Sequence, residues 1–149
     1  MTKKNDGDLT ASLARVAELR GKLASGADAL NQRIKQFEKE LVALGLGVSA
    51  TTVLRTNDLS DSTGVSLRFC RWKGEWRLVT VDWMFEQDED DDDIEPLLNA
   101  SRELRILAVE EFPTLVAELI SAAEAEYARV TEASAHADAA IALLKEVKS

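Results

Sequence analysis

A chain of 149 residues with 46% hydrophobic content can bury a substantial core within one domain, and its abundance of Ala, Glu, Leu, Lys and Arg at both ends favours long helices. A formal net charge of −9 argues against general affinity for nucleic-acid backbones or anionic membranes. A lone cysteine, Cys70, excludes an internal disulfide, and no apolar run approaches the ~18 residues that a membrane span needs.

The polar start Met-Thr-Lys-Lys-Asn-Asp-Gly-Asp has no apolar stretch of the kind a signal peptide carries, so the expected setting is cytoplasmic. Residues 1–7 read as a disordered lead-in and 8–149 as a single domain. Helix is predicted over 8–44, with Asp8 or Thr10 able to cap it. Its positions 9, 13, 16, 20, 23, 27, 30, 34, 37, 41 and 44 hold Leu, Leu, Val, Arg, Leu, Ala, Leu, Ile, Phe, Leu and Leu. Steps of alternating four and three place these side chains in one narrow stripe, a coiled-coil spacing that needs another helix to cover it. Gly21 and Gly26 weaken the interior by about 1 kcal/mol each. Because the apolar phase runs through them unbroken, one continuous helix is expected.

Gly45 and Gly47 are placed to end that helix. Residues 48–85 then read as a three-stranded β-meander. The first strand is Val48 to Thr56, followed by a polar loop from Asn57 to Gly64. Two alternating runs, 65–72 and 75–83, flank Lys73-Gly74 and predict a hairpin with a two-residue turn. Counting from that turn puts Arg71, Phe69 and Leu67 opposite Trp76, Leu78 and Thr80 on one face. The other face carries Cys70 opposite Arg77, Arg68 opposite Val79 and Ser66 opposite Val81, with Trp72 and Trp83. Apolar groups on both faces predict that both are covered, at least in part.

Residues 86–95, EQDEDDDDIE, contain eight acids in ten positions and read as a solvated, self-repelling linker. The alternating ligands and bend glycine of a calcium loop are absent. A second helix, 96–148, is expected with Asn99 or Ser101 as cap and a kink or restart near Pro113. Its stripe from Val116 passes through Ile120, Ala123, Tyr127, Val130, Ser134, Ala137, Ile141 and Leu144. The small residues here suit close antiparallel packing on the larger side chains of the first stripe. The expected fold is therefore α+β: two long α-helices, an antiparallel coiled-coil-like hairpin, flanking a small antiparallel three-stranded meander. This element order is similar to that of prefoldin subunits, in which helices flank a β-hairpin region and pair as an antiparallel coiled coil; the acidic linker departs from that pattern.

Chemistry-bearing motifs are missing. The one histidine, His136, falls off the stripe in an Ala-rich context, and Cys70 sits mid-strand as a structural thiol would. Glu38 and Glu40, Glu110 and Glu111, and Glu124 and Glu126 suit a solvated helix face, and none forms the Glu-x-x-His pattern of metal-binding bundles. No catalytic, cofactor-binding or metal-binding residue is predicted. Trp72, Trp76 and Trp83 read first as completing a small core where the hairpin meets the helices; the alternative is a partner-binding surface of Arg68, Trp72, Arg77, Val79, Val81 and Trp83, since Trp and Arg favour interfaces, and Arg71 over Trp76 is a candidate cation–π pair. The sequence thus points to a non-enzymatic interaction or assembly protein, expected as a homodimer, binding neither nucleic acid nor membrane. The alternative is an acidic regulator or inhibitor that occupies a basic surface through residues 86–95.

Overall fold

The computed structural model describes residues 2–56, 63–84 and 93–148. It is α+β, with three α-helices and a four-stranded antiparallel sheet, and divides into two compact units, Met1–Leu41 and Val42–Ser149.

The first unit is carried by one uninterrupted helix, α1, Thr2–Leu44. It begins six residues earlier than the sequence predicts, so residues 2–7 are helical and not a disordered lead-in. Once a helix is nucleated, each added residue gains a hydrogen bond, and one glycine at position 7 is too weak a breaker to stop it. Gly21 and Gly26 lie within it without interrupting it. Its 43 residues imply a length of roughly 64 Å at 1.5 Å each. The helix stops where the chain turns left-handed: Gly45 has φ +61° and donates its N–H to the Val42 carbonyl at 3.1 Å. A Cβ at that φ would be strained, which is why glycine ends the helix.

The second unit is built on strands β1 (Ala50–Thr56), β2 (Thr63–Trp72), β3 (Glu75–Met84) and β4 (Asp93–Pro96), in that spatial order. Lys73 (φ +52°) and Gly74 (φ +85°) form the β2–β3 turn, both positive as a two-residue turn that follows strand twist requires. The register counted from this turn holds at every predicted pair, from Arg71–Trp76 to Ser66–Val81. β1 pairs with β2 from Ala50–Phe69 to Thr56–Gly64, with a bulge between Val53 and Arg55.

The fourth strand departs from the sequence reading. Asp93 and Glu95 fall in the stretch read as linker, yet Asp93–Pro96 pairs with Asp82–Val79 of β3. The acidic composition masks a short alternation in which Asp93 and Glu95 are exposed and Ile94 and Pro96 half-buried. Charged edge strands of this kind are common because they deter further pairing. The loop expected over 57–64 is shorter, since Thr63 and Gly64 already belong to β2. Residues 57–62 and the acidic positions 86–92 lie outside the described residues.

After a single turn of 3-10 helix at Leu97–Asn99, α2 runs from Arg102 to Glu110 and α3 from Phe112 to Lys148. Ser101 caps α2, its hydroxyl accepting from the Leu104 N–H at 3.2 Å. Where one kinked helix was one expectation, the chain breaks at Glu111 (φ −95°, ψ 2°) and restarts with Pro113 in the first turn, where its missing N–H costs nothing. α3 packs against β1. Within this unit the core gathers Val65, Leu67, Phe69, Leu78 and Thr80 on one sheet face, Leu97, and the helix residues Ala108, Leu115 and Leu119. Both sheet faces contain buried residues, because Ser66, Val79 and Val81 on the opposite face are buried too.

Candidate interaction surface

The strand register brings all six predicted partner-binding residues, Arg68, Trp72, Arg77, Val79, Val81 and Trp83, to one face of the sheet. Burial then divides them. Val79 and Val81 are fully buried, so their side chains offer no surface to a partner. A three-stranded meander would have left β3 at the edge; β4 instead pairs along Val79–Asp82 and makes this stretch interior. Trp83 is half-buried, with its Nε1 sealed off and lacking a hydrogen-bond partner among the described residues. Its indole lies against Gly64, directly across from it in the register.

Arg68, Trp72 and Arg77 remain half-exposed. β1 begins opposite Phe69, so Cys70, Arg71 and Trp72 run on beyond the end of their neighbour strand. This overhang creates a broad, open depression of about 410 Å³ lined by Thr51, Arg68, Cys70, Arg71, Trp72 and Ile94. The Thr51 hydroxyl donates to the Leu67 carbonyl at 3.2 Å and so helps to fix that wall. Lys73 Nζ stands 4.5 Å from the centre of the Trp72 ring. This is a different cation–π pair from the predicted one: Trp76 packs instead on Phe69, ring centres 5.5 Å apart and tilted by 31°. An apolar neighbour on the same face draws that indole toward the core, whereas Arg71 stays exposed.

Cys70 lies in the depression but is poorly suited to nucleophilic work. Its thiol is pushed up from its ordinary value of 9.0 by burial, which the positive charge of Arg68 only partly opposes. His136 is 79% exposed on α3, its Nε2 3.7 Å from Glu132, with nothing arranged around it to orient a reaction. Among the described residues, no three His, Cys, Asp or Glu side chains converge on a possible metal position.

Both long helices expose large apolar side chains. On α1, Leu9, Leu13, Val16 and Leu23 are each 54–61% exposed; further along, Ile34 and Leu41 are buried. On α3, Ile120, Tyr127, Val130, Ile141 and Leu144 are 50–74% exposed. The face that α3 turns inward is that of Leu115 and Leu119, one residue out of phase with the predicted stripe through Val116 and Ile120. The sequence could not choose between them, because Leu115-Val116 and Leu119-Ile120 make an apolar band two residues wide. Similarly, the role of Ile94 in the depression was hidden, although it is the one apolar side chain in the acidic run.

No family model, curated protein or solved structure matches this chain. The likeness to prefoldin subunits rests on element order alone. Among the described residues, no helix is long and apolar enough to cross a membrane.

Proposed function

We propose that this chain is a non-enzymatic assembly protein that associates with a second copy of itself through the stripes of its long helices. The observation that carries the reading is that both stripes keep heptad spacing while exposing half or more of nine large side chains. A stripe of one residue class along a helix is self-complementary, which suits a two-fold pair. Covering the exposed part of each side chain contributes about 1 kcal/mol. The four α1 positions, counted on both copies, supply roughly 8 kcal/mol against an association cost of ~4–15 kcal/mol. The α3 positions are therefore needed as well for a dimer that persists at micromolar concentration. The chemistry of the sheet supports a binding role, since its open depression is lined by Arg68, Arg71 and Trp72, and burial holds the Cys70 thiol in its protonated form.

Sedimentation of the full chain at micromolar concentration tests this directly. The expected mass is that of a dimer, and replacing Leu13 and Leu23 with glutamate should return the monomer. A wild-type chain that sediments as a monomer throughout this range defeats the proposal.

A further inference from the structure

The two exposed stripes differ in the size of their side chains. In the first half of α1, from Leu9 to Leu23, the stripe is built of large side chains interrupted by one charge, Arg20. In the last half of α3 it runs Val130, Ser134, Ala137, Ile141 and Leu144, with its smallest members in the middle. Set antiparallel, with the steps of four and three running in opposite directions, the two stripes mesh. Leu13 then comes level with Leu144, Val16 with Ile141, Arg20 with Ala137 and Leu23 with Ser134. We infer that the first half of α1 packs in this register on the last half of α3 from a second copy of the chain. This rests on the self-association reading above and names the helix that covers each stripe.

Three observations support this occupant. The first is shape. Arg20 and Leu23 need room, and Ala137 and Ser134 leave it, so the helix axes can approach closely. The positions bordering the α1 stripe, Ala17, Ala24 and Gly26 among them, carry no charge, so no like charges meet across the pair. The second is charge. Among the described residues neither Arg20 nor Asp138 takes part in an ion pair, and both are exposed. Asp138 follows Ala137 directly and borders the stripe on the side that Arg20 approaches, so the long arginine side chain reaches its carboxylate. A parallel pair of α1 helices would instead set Arg20 against its own copy, and any α1 pair leaves the α3 stripe bare. The third is that one copy leaves both stretches open. Leu13, Val16 and Leu23 are half or more exposed, and so are Val130, Ile141 and Leu144. Leu9 to Leu23 and Val130 to Leu144 are also equally long, roughly 21 Å each. About a two-fold axis the contact forms twice, and every exposed stripe then has its cover.

The test uses two full-length chains, each carrying Cys70→Ala so that one cysteine remains in each. One chain has Leu13→Cys; the other has Leu144→Cys and a tag that changes its size on a gel. They are mixed dilute and reduced, concentrated to micromolar, and oxidised. Disulfides joining position 13 to position 144 are expected to outnumber 13-to-13 and 144-to-144 links well beyond random pairing. Random pairing, or a predominance of same-position links, overturns the register. A chain carrying both cysteines that closes on itself without forming dimers overturns the second copy as occupant. Charge supplies an independent readout. Arg20→Glu and Asp138→Arg should each weaken the dimer about fivefold in sedimentation, and the two together should restore it. Both positions are exposed, so the folded helix content seen by circular dichroism should not change. A doubly changed chain no tighter than the weaker single variant overturns the pairing of Arg20 with Asp138. The two claims fail separately. A wild-type dimer whose links join like positions overturns this register and leaves the helix-stripe reading standing, whereas a wild-type monomer ends both.

Discussion

At Gly64 the constraint is space, not backbone angle. A methyl group there would lie 2.6 Å from both the Arg55 carbonyl oxygen and Cζ2 of Trp83. One of these is backbone and the other a ring packed from across the strand, so neither yields cheaply. Gly64→Ala should lower stability by about 2 kcal/mol, read as a shift in urea midpoint; a change within about 0.5 kcal/mol would refute the packing account. In the sequence this glycine reads as turn punctuation after Asn, Asp and Ser, because nothing local announces an indole nineteen residues later. Cys70 offers a second test. Its folded thiol holds its proton above the ordinary range, so native and unfolded chains bind equal protons until the pH nears the unfolded value. Above that the unfolded state loses its proton first, and this contribution to stability declines as pH rises through the folded value. Alkylation by iodoacetamide at roughly pH 8 should accordingly be slower in the native chain than in urea, where the thiolate is freer to form.

Elements differ in how plainly the sequence announces them. The register of the β2–β3 hairpin was legible to the residue because a two-residue turn fixes it by counting, although β2 begins two residues earlier than read and β3 ends one later. α1 was legible because its apolar phase survives Gly21 and Gly26. Beyond the helix's own backbone and the flanking residues, nothing lies within 4 Å of where a Cβ would stand at either glycine. Gly21→Ala and Gly26→Ala should each therefore raise helix stability by about 1 kcal/mol, visible as a higher midpoint when circular dichroism follows thermal unfolding. No rise would mean that these positions are already constrained by a neighbour. β4 was illegible because charge density in 86–95 outweighs a four-residue alternation. The inward face of α3 was illegible for another reason: periodicity finds an apolar band but cannot say which of two adjacent rows meets the sheet.

For the molecule as a whole, the fold class was readable and the destination of its apolar surface was not. Heptad spacing states that a stripe needs cover; it carries no address for the covering helix. The same holds for the candidate interaction face, where Arg68, Trp72 and Arg77 stay accessible while Val79 and Val81 are buried as β4 pairs beside them. That strand also has a protective effect. β4 is the outer rim of the sheet, only four residues long, with Asp93 and Glu95 exposed and Pro96 lacking a donor. Any incoming chain would have to bury carboxylates to hydrogen-bond there. Replacing Asp93 and Glu95 with valine should turn this rim into a template for open-ended polymerisation, and thioflavin fluorescence should then grow over hours in a sample whose parent stays dark. The two acids would act as a brake on fibre growth at this edge.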